Sequence, residues 1–224
     1  MHARLLLVFL AVALIATACG SGDADEDTPH STPEGAVVSW FDAVDAGEVL
    51  AASEAIHPES LALILAIEND ITVEELADYL SHGVPLAMQS TYWTSFSQGF
   101  TDFANKPLST LTVGQAEVFE SDGEEFASVP ISGGPGSDSV VIVRKRADST
   151  WEVDMVASLG DGFSTLLLDL FEELDATEAS VRIRLAYSEV VAPSMRAAMT
   201  DGSFGDNFAV TALTLLARID EQGA

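Results

Sequence analysis

"LSTLTVGQAEVFESDGEEFASVPISGGPGSDSVVIVRKRADSTWEVDMVA", residues 108–157, is where the apolar pattern of this chain changes from a helical repeat to alternation. Val, Ile, Phe and Thr dominate it, and such side chains pack well on a pleated surface. Turn-forming runs such as "SGGPGSD" and "RADS" divide it into four strands: 108–120, 124–131, 139–146 and 150–157. Trp151, Val153, Met155 and Ala157 alternate with Glu152 and Asp154, which gives the last strand one buried face and puts the two acids on the opposite one, toward solvent by preference or, in a bent sheet, toward a cavity. The apolar parity slips around Gly114, from Leu111 and Val113 to Ala116 and Val118, so the sequence predicts a bulge there. Pro130 has no backbone N–H to donate and favours an edge position for the second strand. Four short strands with tight connections fold most simply as an antiparallel meander.

On both sides of this block the period is helical. Thr32-Pro33-Glu34 combines a capping hydroxyl, a proline suited to the first turn and an acid near the helix N-terminus. Ala36, Val37, Trp40, Phe41 and Val44 then share a face up to Gly47. A second helix over 48–56 is stopped by Pro58, and a third covers 60–68. Thr72-Val73-Glu74-Glu75 is a capping-box pattern that starts a fourth, ended by Gly83. A fifth, over 85–103, carries Met88, Tyr92, Trp93, Phe96, Phe100 and Phe103 on one face. After residue 160, Phe163, Leu166, Leu167, Leu170, Phe171 and Leu174 form another apolar stripe. Helices over 178–200, kinked at Pro193, and over 204–221 complete the chain.

Nine Lys plus Arg against 36 Asp plus Glu give the 224-residue chain a formal net charge of −27. That surface excludes a nucleic-acid partner, because binding a phosphate backbone requires cations to displace condensed counterions. The first eighteen residues are expected to be an export signal. Arg4 supplies the positive start, and the apolar run 5–16 spans about 18 Å, too short for the ~30 Å hydrocarbon core. The following Ala16-Thr17-Ala18-Cys19 resembles the lipobox of bacterial lipoproteins, with Ala16 where that pattern usually has Leu. The resemblance implies that Cys19, the sole cysteine, becomes the first mature residue and carries a diacylglyceryl group. Two fatty chains anchor a protein where one does not. Residues 19–31 are then an acidic, lipid-anchored linker, and the expected location is the extracytoplasmic face of the cell membrane.

The segment "TPEGAVVSWFDAVDAGEVLAASEAIHPES" at 32–60, followed after further helices by meander strands ending in "TWEVDMVAS", resembles the nuclear-transport-factor-2-like superfamily, in particular its exported lipoprotein members. The resemblance implies an α+β fold in which helices pack on a bent four-stranded antiparallel sheet around a cone-shaped cavity. It places that domain at 32–159. The chain departs from the family in a helical insert at 60–105, longer than the usual connection, and in C-terminal helices at 160–224, which are expected to pack on the same core because the 163–174 stripe must be buried. Members of the superfamily include isomerases, dehydratases and hydrolases, and others only bind.

No residue set in the sequence amounts to a catalytic site. His57, before Pro58, is the candidate general base, and Asp154 the candidate carboxylate. Asp42 and Asp45 lie on the polar side of the first helix, where solvation explains them. Trp40, Tyr92, Trp93, Phe96 and Phe100 are the candidates for lining an apolar ligand site, although rings at helical spacing more often belong to a core. "DGSFGDN", 201–207, has the composition of a calcium loop without its spacing and reads as a helix–helix turn. The histidines are too dispersed for a zinc cluster, and no cofactor motif is present. The expected function is a membrane-anchored, non-catalytic module that binds a small apolar ligand or an envelope partner. The alternative is a cavity enzyme of the superfamily acting on a small molecule.

Overall fold

In the computed structural model, which describes residues 29–69, 71–134 and 139–223, the block from 108 onward forms a curled antiparallel sheet. The expected signal segment, Cys19 and most of the acidic linker lie outside the described residues. Strand β1 (Thr112–Val113) and strand β2 (Glu117–Ser121) lie end to end along the same edge of β3 (Glu124–Ser132). The sheet continues through β4 (Ser139–Lys145) to β5 (Trp151–Val153). Val113 faces Ile131 and Glu117 faces Ser128, so four steps on one strand oppose three on the other. This one-residue slip at 114–116 is the bulge that the parity change predicts.

Three strand expectations are corrected. Residues 108–110 form a 3-10 turn after Pro107, so the first strand begins only at Thr112. Pro130 stands in the central strand, not at an edge. Its carbonyl accepts the Gly114 N–H at 2.7 Å, so its missing donor falls on the side where the bulge interrupts the ladder. A Cβ on Gly114 would come within 3.2 Å of Pro130 Cβ, which ties the glycine to that close approach. The last strand stops at Val153 because the Asp154 carboxylate accepts the Ala157 N–H at 2.9 Å and starts the short helix α6 (Met155–Ser158). Alternation alone does not reveal that local cap.

The N-terminal helices are α1 (Pro33–Ala46), α2 (Val49–Glu54), α3 (Pro58–Asn69), α4 (Val73–His82) and α5 (Leu86–Ala104). Thr32 Oγ1 accepts the Gly35 N–H, and Gly47 ends α1 at a φ of 69°, where a residue without Cβ is unstrained. Both halves of the Thr72–Glu75 capping box form. Beyond the sheet come α7 (Gly160–Glu172), α8 (Glu178–Ala186), a π-helical segment at Tyr187–Val191, α9 (Ala192–Asp201) and α10 (Asp206–Gly223). The wide turn immediately precedes Pro193, which cannot donate into a regular helix. Two members of the sequence stripes prove to be exposed, Phe103 and Leu166, because each stripe is wider than the surface that covers it.

Alternation along β3 and β4 sends side chains to two cores. Ala127, Val129, Val143 and Val153 meet α1, α2 and α5, whereas Phe126 and Ile142 meet α4 and the helices after residue 160. Helix α3 serves both, with Leu61, Ile64 and Leu65 in one core and Ala62, Leu63 and Ala66 in the other. The β5 edge is covered as well: Trp151 N–H donates to His30 O, and Val153 exchanges backbone hydrogen bonds with Ala55 and His57. Helices packed on a curled antiparallel sheet, with further C-terminal helices, make an α+β fold compatible with the nuclear-transport-factor-2-like architecture.

Candidate functional site

The covered β5 edge fixes His57. Its backbone N–H donates to Val153 O at 3.1 Å, which holds the residue at the mouth of a cleft where α2 gives way to α3. The cleft encloses about 550 Å³ between the start of α3, the end of α4, Gln89 of α5 and the π-helical segment. Leu61, Leu80, Val84 and Val190 supply its apolar walls, and His57, Glu59, Gln89 and Glu189 bring polar groups to it. Such a mixture, mostly apolar with a few convergent polar groups, is the usual make-up of a ligand site.

Two of the lining residues each hold a buried polar atom without a hydrogen-bond partner, His57 Nδ1 and Gln89 Oε1. Gln89 Nε2 donates to Val84 O at 2.6 Å, which sets the orientation of the amide and leaves its oxygen as the free acceptor. His57 Nε2 lies 3.9 Å from Glu152 Oε1, an approach within an ion pair's range but beyond a hydrogen bond. Glu152, although charged, is almost fully buried: Arg146 Nε donates to its Oε2 at 2.5 Å, and the same guanidinium donates to Glu54 O at 2.7 Å. Arg182 bridges Glu59 and the carbonyl of Leu80.

Asp154 sits elsewhere. Instead of facing solvent it is fully buried under α9, where its Oδ2 accepts a hydrogen bond from Ser194 Oγ at 2.7 Å and lies 3.4 Å from Arg144 Nη2. Arg144 also donates to Ser194 Oγ at 3.2 Å and stacks over Phe126 with its guanidinium carbon 5.2 Å from the ring centroid. The group joins the sheet to α9 and is closed to a ligand, so Asp154 holds the fold together. Of the two acids expected on a solvated strand face, neither is solvated.

The aromatic candidates are brought together, and they pack on each other. Trp40 approaches Trp93 edge-on at 6.3 Å and Phe96 at 5.8 Å, and Tyr92 meets Trp93 at 4.8 Å. Trp40 and Trp93 are buried, while Phe96 and Phe100 are half-buried at the margin of the same core. Trp93 Nε1 donates to Ser53 Oγ at 2.8 Å. The rings fill the hollow of the sheet. Tyr92 also borders a second cleft of about 490 Å³ with Glu68; burial pushes its hydroxyl well above the usual tyrosine range, with the Glu68 charge adding to the rise. Asp42 is exposed, whereas Asp45 accepts the Ser109 N–H at 2.7 Å. The 201–207 stretch is the turn between α9 and α10.

Replacing Trp93 with Ala is expected to lower stability by roughly 3–5 kcal/mol, because a large buried ring and its packing are lost together. Urea denaturation checks this; a loss below about 1 kcal/mol would mean that the ring is not part of the core.

Sequence reasoning found His57 but not Gln89 or Glu189, which belong to no local motif and converge with it only through the packing of α5 and the π-helical segment. No protein-family model, curated protein or solved structure matches the chain significantly.

Proposed function

We propose that this protein is an exported, lipid-anchored binding module of nuclear-transport-factor-2-like fold whose ligand occupies the His57 cleft. The observation that carries the reading is a cavity with apolar walls lined by His57 and Gln89, each of which holds one buried polar atom, Nδ1 and Oε1, without a protein partner. Buried polar groups are ordinarily satisfied, and a ligand is one way to satisfy them. A thermal-shift screen of residues 29–224 against small apolar metabolites tests it. A ligand at 100 times its Kd stabilises by about 2.7 kcal/mol, and Gln89→Leu is expected to remove most of that gain. Hits that stabilise the variant equally well bind elsewhere.

The enzyme alternative draws on one contact, the approach of Glu152 to His57, since a carboxylate beside an imidazole is how a general base is oriented. At 3.9 Å the pair is not engaged, which favours binding. Turnover of any hit that is abolished by His57→Ala while its affinity survives would reverse this order.

The anchor is carried by the lipobox-like sequence at 16–19. Among the described residues no helix is long and apolar enough to cross a membrane. Cys19→Ser is expected to move the protein from the membrane fraction to the soluble fraction or to leave it unprocessed. A variant that fractionates and migrates like the parent overturns the lipoprotein reading.

A further inference from the structure

A second groove, sharing no lining residue with the His57 cleft, opens between α2 and the first turn of α5 and encloses about 720 Å³. Val49, Leu50 and Ala51 line one side of it, Leu86 and Ala87 the other, and Glu48 is the one charged residue of the lining. Leu50 is 60% exposed and Leu86 54%, so both rims hold large apolar side chains in water. The walls are tied together close by, where Trp93 Nε1 of α5 donates to Ser53 Oγ of α2 at 2.8 Å. An apolar groove with an exposed leucine on each rim is a surface that binds something apolar.

Where the chain enters the domain decides what reaches this groove. Trp151 N–H donates to His30 O at 2.8 Å, which pins the entry point to the β5 edge, and Pro29 beside it lines a shallow depression with Ala46, Glu48 and Ala51. Glu48 and Ala51 also line the groove, so the entry point and the groove lie on the two sides of α2. Cys19 stands ten residues before Pro29, a stretch that spans at most about 36 Å and so clears a helix about 10–12 Å wide. Asp42 in the depression, Glu48 between the two hollows and a chain net charge of −27 oppose an anionic membrane surface on this face. A hydrocarbon chain carries no charge and meets no such opposition. We propose that the α2–α5 groove takes up one fatty chain of the lipid expected on Cys19 and shields it from water while the protein is off the membrane. Every methylene removed from water favours uptake, and a bilayer, which buries the chain more completely, empties the groove again. The inference rests on the lipoprotein reading of Cys19.

The experiment uses residues 19–224 alkylated at Cys19, the sole cysteine, with N-dodecylmaleimide or, as the reference, N-ethylmaleimide, and follows the methyl NMR signals that line the groove. Alkylation supplies the chain whether or not a cell lipidates this cysteine, so the outcome is separate from the Cys19→Ser fractionation that tests the lipoprotein reading. The dodecyl chain is expected to shift the Leu50 and Leu86 signals of a monomeric protein, by an amount unchanged on about tenfold dilution because the encounter is intramolecular. Leu50→Gln combined with Leu86→Gln, two exposed positions that the fold tolerates, should return the Val49 and Ala87 signals most of the way to the reference. Phosphatidylcholine nanodiscs should draw the chain out and return the Leu50 and Leu86 signals of the parent likewise. Signals that match the reference throughout overturn the proposal. Shifts that fade on dilution assign the groove to contacts between copies, and shifts that arise only with nanodiscs assign it to the membrane surface; either result overturns the proposal as well.

Discussion

A chain ending at Leu159 is expected to give an aggregating product with no cooperative unfolding transition. The face of the sheet that carries Phe126 and Ile142 would lose Leu167, Phe171, Tyr187, Met195, Phe208 and Leu215, all nearly or fully buried against it or against one another. Each large apolar side chain of that kind contributes roughly 1.5–3 kcal/mol on burial. A few of them equal the whole net stability of an ordinary domain, about 5–15 kcal/mol. The truncated chain would also leave Arg144 and Asp154 facing each other without Ser194. Expression of residues 29–159, followed by size-exclusion chromatography and a thermal melt, decides the matter. A monomeric, sharply melting fragment would show that the helices after 160 are an addition to a core that is complete without them.

Asp154→Ala is expected to have the largest effect of any single substitution, a loss of about 3–5 kcal/mol, because it leaves the buried Arg144 without its nearest buried countercharge. The α6 cap goes with it, a further term of about 1 kcal/mol. For a chain of this size the melting temperature should fall by on the order of 10 °C. Asp154→Asn keeps an oxygen to cap Ala157 but not the charge, so its loss should be intermediate. Adding Arg144→Met to Asp154→Ala should recover part of the stability, since the penalty comes mainly from a buried cation left with only the half-exposed Glu124, 3.4 Å from its Nε, and not from missing attraction. A single variant within about 1 kcal/mol of the parent would mean that water reaches this group, contrary to its burial.

The difference between what the sequence foretold and what it did not follows the range of the interactions. Thr32, Gly47, the Thr72–Glu75 box, the slip at Gly114 and the break before Pro193 were all legible, because each acts within a turn or two of its own position. Pro130 was misplaced because a proline's tolerance in a sheet depends on the strand beside it. Its neighbour carries the bulge. Glu152 and Asp154 were assigned to solvent by alternation, a sound rule for a sheet with one covered face, but Ser194 of α9 arrives 40 residues later to cover Asp154, and Arg146 and His57 close over Glu152. The site followed the same rule. His57 announced itself by its type and its proline, while the cleft around it exists only where Gln89 and Glu189, a hundred residues apart, come together.

The π-helical segment at Tyr187–Val191 also says something about how this chain tolerates length change. One residue advances an α-helix by about 100°. The wide turn therefore sets the rotational phase of α9 relative to α8, and Ser194 reaches Asp154 in that phase. A one-residue deletion between Tyr187 and Val191 would straighten the helix and swing Ser194 roughly a quarter-turn away, while also displacing Glu189 from the cleft. A deletion in the turn at 202–205 would leave both in place. In this protein the number of residues in one helix, and not only their identity, connects the sheet to the cleft.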